Sequence, residues 1–367
     1  MILSAVHSYV LCKLLLESRK NFNTCEDRDN IVRQLKAARS WIEREKSWLG
    51  LATTPQEARE LHLAGKLIII LSVETENIFD HSNWEEEFQE YVNLGVSTFQ
   101  IVHQFDNKLA GPAIHQRPLL FANYLRNWLR TSSLYGFDTY QENYVSPFGS
   151  RRITKNLKGL TTFGETIIKK MMSHGMTIDF AHMSEQTMID VQKLLKDNQN
   201  YPYYFSHGHF RDVMLENTYG SYEKSSSREV LTQLKNVDGI FGLRTMETGT
   251  HTTMPTLDNN CEGSSLSFAH AYHYGRELGV HIAFATDFNG FISQSKPRFS
   301  EQDTAYCYPQ KIAPLKKMFD YTGLGTIAQL PDLVEDLEHM NVDLENLKKS
   351  AEKYIEVWER SYNIKNP

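Results

Sequence analysis

The chain has 367 residues, 41% of them hydrophobic, and a formal net charge of -6. That length is ordinary for one α/β barrel, which takes ~250 residues plus insertions, and the apolar content can fill a sizeable core. The acidic balance and the lack of any Lys/Arg run exclude a nucleic-acid footprint and a basic membrane-surface patch.

Residues 1–16 are apolar but lack a basic start and are interrupted by His7, Ser8 and Lys13. They are expected to form a buried strand rather than a leader. No stretch approaches the ~20 apolar residues of a membrane helix, so no membrane span is expected. The four cysteines, Cys12, Cys25, Cys261 and Cys307, form no CxxC pair. That argues against a thiolate zinc knuckle and suits a reducing compartment, although disulfides stay open. A soluble cytoplasmic protein is the expectation.

Further along, short apolar runs alternate with amphipathic segments, the pattern of an α/β fold with a parallel sheet. Strands are expected over 2–10, 67–73, 97–103, 176–181, 202–206, 238–243 and 281–286. A helix is expected near Asp27 to Leu49. Thr54-Pro55-Gln56-Glu57 opens the next helix with an N-cap, a proline at N1 and an early acid, and Gly65 closes it. Thr162 with Glu165 reads as a capping box, Gly175 ends that helix, and Ser184 caps another around 185–197. Residues 104–160 and 244–263 look irregular and follow strands, where a barrel builds its rim. Residues 311–363 read as a helical tail. Without linkers or repeats, one domain over 1–367 is expected.

Chemistry stands at the strand ends. Leu67–Val73 runs into Glu74, Phe99–Val102 into His103, Met176–Ala181 into His182, Tyr203–Ser206 into His207, and His281–Thr286 into Asp287. A lone histidine at a strand end is usually a hydrogen-bonded loop residue. Imidazoles and carboxylates gathered at one mouth are costly unless paired or ligating a cation. Both are good ligands for zinc and similar ions.

At these residues the sequence resembles the membrane (renal) dipeptidase family of the amidohydrolase superfamily, from about residue 1 to about residue 340. Leu71-Ser-Val-Glu-Thr75 resembles its "GVEG" strand, and Gly95 to His103 its "GVR…LTH" strand. Gly159-Leu-Thr-Thr-Phe-Gly164 with Gly175-Met-Thr-Ile-Asp-Phe-Ala-His-Met-Ser184 resembles "GLT.FG…GM.ID.SH.S". Phe205-Ser-His207 resembles "FSHS", and Ala285-Thr-Asp-Phe-Asn-Gly290 resembles "G.DFDG". Tyr321 to Leu333 resembles a late "GL…PNL" segment.

The resemblance implies a (β/α)8-type barrel that hydrolyses a small amide, such as a dipeptide, with a metal-activated water. It implies Glu74 as a bridging carboxylate, His182 and His207 completing one zinc site, and Asp287 serving a second, weaker ion and the water. His103 would polarise the scissile carbonyl. Arg211 and Arg228 are candidates for holding the substrate carboxylate.

The sequence also departs from that family. Its first strand ends in His-x-Asp, and the counterpart here is His7-Ser8-Tyr9. From His7 to Glu74 is 67 positions, too few for two strands and two helices. Residues 7–12 match the family's second strand better, so the first strand and its two ligands are expected to be missing; otherwise His7 is a ligand and Tyr9 replaces the carboxylate. A Gly-Gly-Asn near the end is replaced by Lys349-Ser-Ala-Glu352. A strand left unpaired invites a second chain, so a homodimer is an open expectation. A catalytically weak binding scaffold, or an ester or lactone hydrolase, remain alternatives, since fold does not fix substrate.

Overall fold

The computed structural model describes residues 27–114, 139–216, 223–289, 292–299 and 313–365. The expected strand at 2–10, with His7-Ser8-Tyr9 and the question of a missing first strand, lies outside these residues. The strands are β1 (Leu49–Leu51), β2 (Leu67–Ile69), β3 (Leu71–Val73), β4 (Val96–Phe99), β5 (Thr139–Ser146), β6 (Gly149–Asn156), β7 (Ile178–Asp179), β8 (Tyr203–Gly208), β9 (Ile240–Arg244) and β10 (His281–Ala285). The β1–β2, β3–β4, β8–β9 and β9–β10 pairs are all parallel. With helices between them, they make an α/β fold with a helical C-terminus. Among the described residues the pairings do not close a ring. No described helix is long and apolar enough to cross a membrane.

The described chain falls into two compact units. The first holds residues 2–138, 156–202 and 358–367, and the second holds 139–155 and 203–357.

In the first unit, the apolar run over 67–73 is two strands rather than the one expected. Leu67–Ile69 pairs with β1, and Leu71–Val73 pairs with β4, so the two halves serve different neighbours. β1 itself begins at Leu49, where a helix was expected to end. Thr54 caps the helix Pro55–Leu63 as expected, its side chain accepting from the Glu57 amide at 3.2 Å. The N-cap of Thr162–Ser173 is Thr161, one residue before the expected capping box; its hydroxyl accepts from the Gly164 amide at 3.0 Å. Gly175, at φ +68°, reverses the chain into β7, a backbone state that costs glycine nothing. Ser184 caps Glu185–Asp197 through the Thr187 amide. The helix Trp84–Asn93 lays Phe88 and Tyr91 on Phe99 of β4 and on Phe79, with ring centroids 5.4 to 6.1 Å apart. Each such ring contributes about 1.5–3 kcal/mol by leaving water.

In the second unit, β8, β9 and β10 lie side by side, with Ala285 of β10 in register with Arg244 of β9. A Cβ at Gly242 would meet the Ser206 carbonyl oxygen at 2.0 Å, so only glycine allows this approach. The stretch over 104–160, read as irregular, contains β5 and β6, which pair with each other. Their two-residue connection, Pro147-Phe148, requires an antiparallel hairpin; its exposed residues carry no alternating apolar pattern, which hid it. Cys261 is buried and disulfide-bonded, the alternative that the sequence left open.

His270 is fully buried on the helix Ser265–Glu277. Its Nδ1 accepts from the backbone amides of Thr253 (2.9 Å) and Met254 (3.2 Å). Burial, reinforced by His273, lowers its pKa to about 4. The folded state therefore binds this proton less readily than the unfolded chain. The associated stability is complete above pH ~6.5 and is lost as pH falls from there towards 4, by about 3 kcal/mol in all. Urea unfolding at pH 7.5 and pH 4.5 should show this loss in the wild type and not in His270→Asn. Equal pH slopes in the two proteins would contradict the assignment.

Candidate metal centre

Within the first unit, three residues from three strand ends come together. Glu74 follows β3, His103 follows β4 after a short extension, and His182 follows β7. Glu74 Oε1 stands 3.0 Å from His182 Nε2 and 3.5 Å from His103 Nε2, and all three side chains are at most one-tenth exposed. The two imidazole rings lie 4.3 Å apart, centroid to centroid. His182 adopts φ +67°, a left-handed conformation that costs a non-glycine residue of order 1 kcal/mol or more.

A fourth residue, not anticipated from the sequence, orients this group. Glu76 is buried and accepts from His103 Nδ1 at 2.6 Å and from the amides of Gln104 and Phe105 at 3.1 and 3.2 Å. An acceptor with two backbone donors fixes Nδ1 of His103 as the protonated nitrogen, so Nε2 faces Glu74. Beneath them Gln100 Nε2 donates to Asp179 Oδ2 at 3.0 Å, joining the strands that carry His103 and His182.

Ligand atoms around one tetrahedral zinc, each at ~2.0–2.2 Å, stand about 3.4 Å from one another. The 3.0 Å between Glu74 Oε1 and His182 Nε2 is close to that, and a buried carboxylate with an imidazole is a donor set that suits a divalent ion. These two residues therefore fit a metal.

The second unit holds the remaining candidates. His207, on β8, has Ser206 Oγ 2.9 Å from Nδ1 and Lys224 Nζ 3.4 Å from Nε2. The Lys224 ammonium can only donate, so Nε2 of His207 is its acceptor and a metal binding there would displace that contact. Asp287 follows β10 at φ +49°, and its Oδ2 accepts from Nη2 of Arg244, the buried last residue of β9. Arg211 is buried, stacked 5.1 Å over the Tyr144 ring, and donates to the Glu223 carbonyl at 3.0 Å. Arg228 is half exposed and donates from Nε to Asp212 Oδ2 at 3.1 Å and from Nη2 to the Tyr274 hydroxyl at 3.1 Å. Asp212 also accepts from the hydroxyls of Tyr144 and Tyr274. Burial, with Asp212 next in effect, pushes the Tyr144 hydroxyl up to about 12, so it remains a donor. Both arginines are thus part of one polar cluster around Asp212.

Comparison with known proteins follows the same direction. Residues 133–305 match the family model described as membrane dipeptidase (Peptidase family M19). A dipeptidase of Clonostachys rogersoniana, verJ, is 25% identical over 287 residues, which is 78% of this chain and 58% of that protein. The chain thus matches less than two thirds of that relative's length. An amidohydrolase from Pseudomonas aeruginosa superposes with a TM-score of 0.57 at 17% identity, covering 91% of this chain and 85% of the other. A metallo peptidase from Rhodobacter sphaeroides, liganded with a phosphinate mimic of the dipeptide L-Ala-D-Ala, superposes with a TM-score of 0.54 at 17% identity, covering 89% and 73%. The family that matches is the one the strand-end motifs resemble.

Proposed function

We propose that this chain, whose residues 133–305 match the membrane dipeptidase family, is a metal-dependent hydrolase that cleaves a small amide, a dipeptide in the first instance, on a (β/α)8-type barrel. The observation that carries this reading is the buried Glu74–His182 pair beside His103, three chemistry-bearing side chains from three parallel-strand ends. Glu74, His182 and His207 can each offer one ligand atom of a kind zinc accepts. In this reading Glu74 and His182 hold one tightly bound divalent ion, and His207 is a candidate for a further ligand. A bound ion supplies Lewis acidity and lowers the pKa of water towards ~7.

The chain's own residues supply the rest. With Glu76 holding the Nδ1 proton, a second proton on Nε2 makes the His103 ring cationic. That form stabilises negative charge growing on a carbonyl oxygen. Burial of Glu74, His103 and His182 keeps the local dielectric low, which strengthens each of these interactions. Arg211 or Arg228 takes the substrate's carboxylate.

Chelation followed by zinc reconstitution tests the reading. About one equivalent of metal and dipeptide hydrolysis should return together. Metal-free protein after reconstitution, or activity confined to esters and lactones, overturns it. Glu76→Gln offers a finer check: metal content should stay at the wild-type level while kcat falls about 10–100-fold, the usual effect of removing a carboxylate that orients a histidine.

A further inference from the structure

We infer that the guanidinium of Arg244 takes the place of a second metal ion at Asp287, so the protein works with a single ion. The inference rests on the proposed metal-dependent reading and narrows it.

Arg244 and Asp287 stand at the ends of neighbouring parallel strands, and Ala285 is in register with Arg244. The strand register thus carries the Arg244 side chain to the carboxylate that follows β10. The Arg244 side chain is 3% exposed and that of Asp287 17%. Nη2 of Arg244 donates directly to Asp287 Oδ2. A guanidinium is always charged, and its planar fork matches a carboxylate. The positive charge that a carboxylate at this depth requires is therefore already present and covalently fixed. A divalent ion binding Asp287 would have to displace that guanidinium or sit within a few Å of it, with like charges facing each other at low dielectric. Removing Arg244 from Asp287 would in turn strand a buried cation. Both effects oppose a second ion. Asp287 holds a left-handed backbone, and a strained conformation persists only where its surroundings hold it.

The same arrangement gives Arg244 a part in the proposed chemistry. It is a positioning residue that holds the Asp287 carboxylate in one orientation. A neutral side chain of the same length would leave that carboxylate both undirected and available to metal.

The test is metal stoichiometry and ligand-field spectroscopy on the full chain, with zinc and cobalt(II) as probes. The wild type should bind one equivalent of either ion, with no second equivalent at up to a 100-fold higher free concentration. Asp287→Asn and Arg244→Lys should each keep one equivalent, with an affinity within two-fold of wild type. The visible spectrum of bound cobalt should superimpose on that of the wild type in both variants, because neither residue is a ligand. Two equivalents in the wild type, one of them lost in Asp287→Asn, would overturn the inference while leaving the metal-dependent reading intact. A wild type that binds no ion at all, matched by Glu74→Gln, would overturn both. The wild-type titration decides the matter even if a variant fails to fold.

Discussion

Glu74→Gln should lower bound zinc to below a tenth of an equivalent and dipeptide hydrolysis by ~10³-fold or more, about 4 kcal/mol of barrier at 1.36 kcal/mol per factor of ten. The substitution preserves shape and removes one charge. In the structure Glu74 Oε1 is the atom that both His182 Nε2 and His103 Nε2 face, at 3.0 and 3.5 Å. A neutral amide leaves the two imidazoles without the carboxylate that sets a divalent ion's preference for the site. It also presents either an N–H₂ donor, which cannot ligate, or a weak carbonyl. Elemental analysis after zinc reconstitution reads the first effect, and steady-state kinetics on a dipeptide reads the second. Unchanged metal content would remove Glu74 from the ligand set.

Asp336→Asn should destabilise the fold by about 3–5 kcal/mol, the cost of stranding a buried charge. Asp336 is fully buried and accepts from Arg298, which is 3% exposed, and from Ser265 Oγ. Nη1 of Arg298 is buried without a partner of its own, so the pair already carries an unmet donor. Removing the negative partner leaves the guanidinium buried and uncompensated. The double replacement Arg298→Met with Asp336→Leu should recover most of the loss, because an apolar pair costs nothing to bury. Urea unfolding of the single and double variants closes the cycle. A single-variant loss under about 1 kcal/mol would mean that water reaches the pair.

The parts of this site that could be read from the sequence share a cause. Glu74, His103 and His182 each follow a short apolar run, and β3, β4 and β7 end within four residues before them. Ser184 and Gly175 were legible because capping and left-handed turns are local chemistry, decided within four residues. What escaped depends on partners distant in sequence. Glu76 looked like a loop acid until the chain brought His103 beside it, 27 residues on. Arg244 ends its strand as Glu74 ends its own, but a basic residue is no metal ligand and so drew no notice. The break at Ile70 follows from two neighbours competing for one run of apolar residues, and the run itself is uniform. His7-Ser8-Tyr9 lies outside the described residues.

That break has a dynamic consequence. Glu74 follows a three-residue strand with one parallel partner among the described residues, and their register shifts between Leu71 and Ser72. A strand held by so few backbone hydrogen bonds opens through local fluctuations far below the cost of global unfolding. The amides of 71–75 should therefore exchange with solvent deuterium faster than those of β9, which is flanked on both sides. Anything that binds Glu74 only in the closed form stabilises that form by mass action. Occupancy of the centre would then be visible as slowed exchange over five consecutive amides.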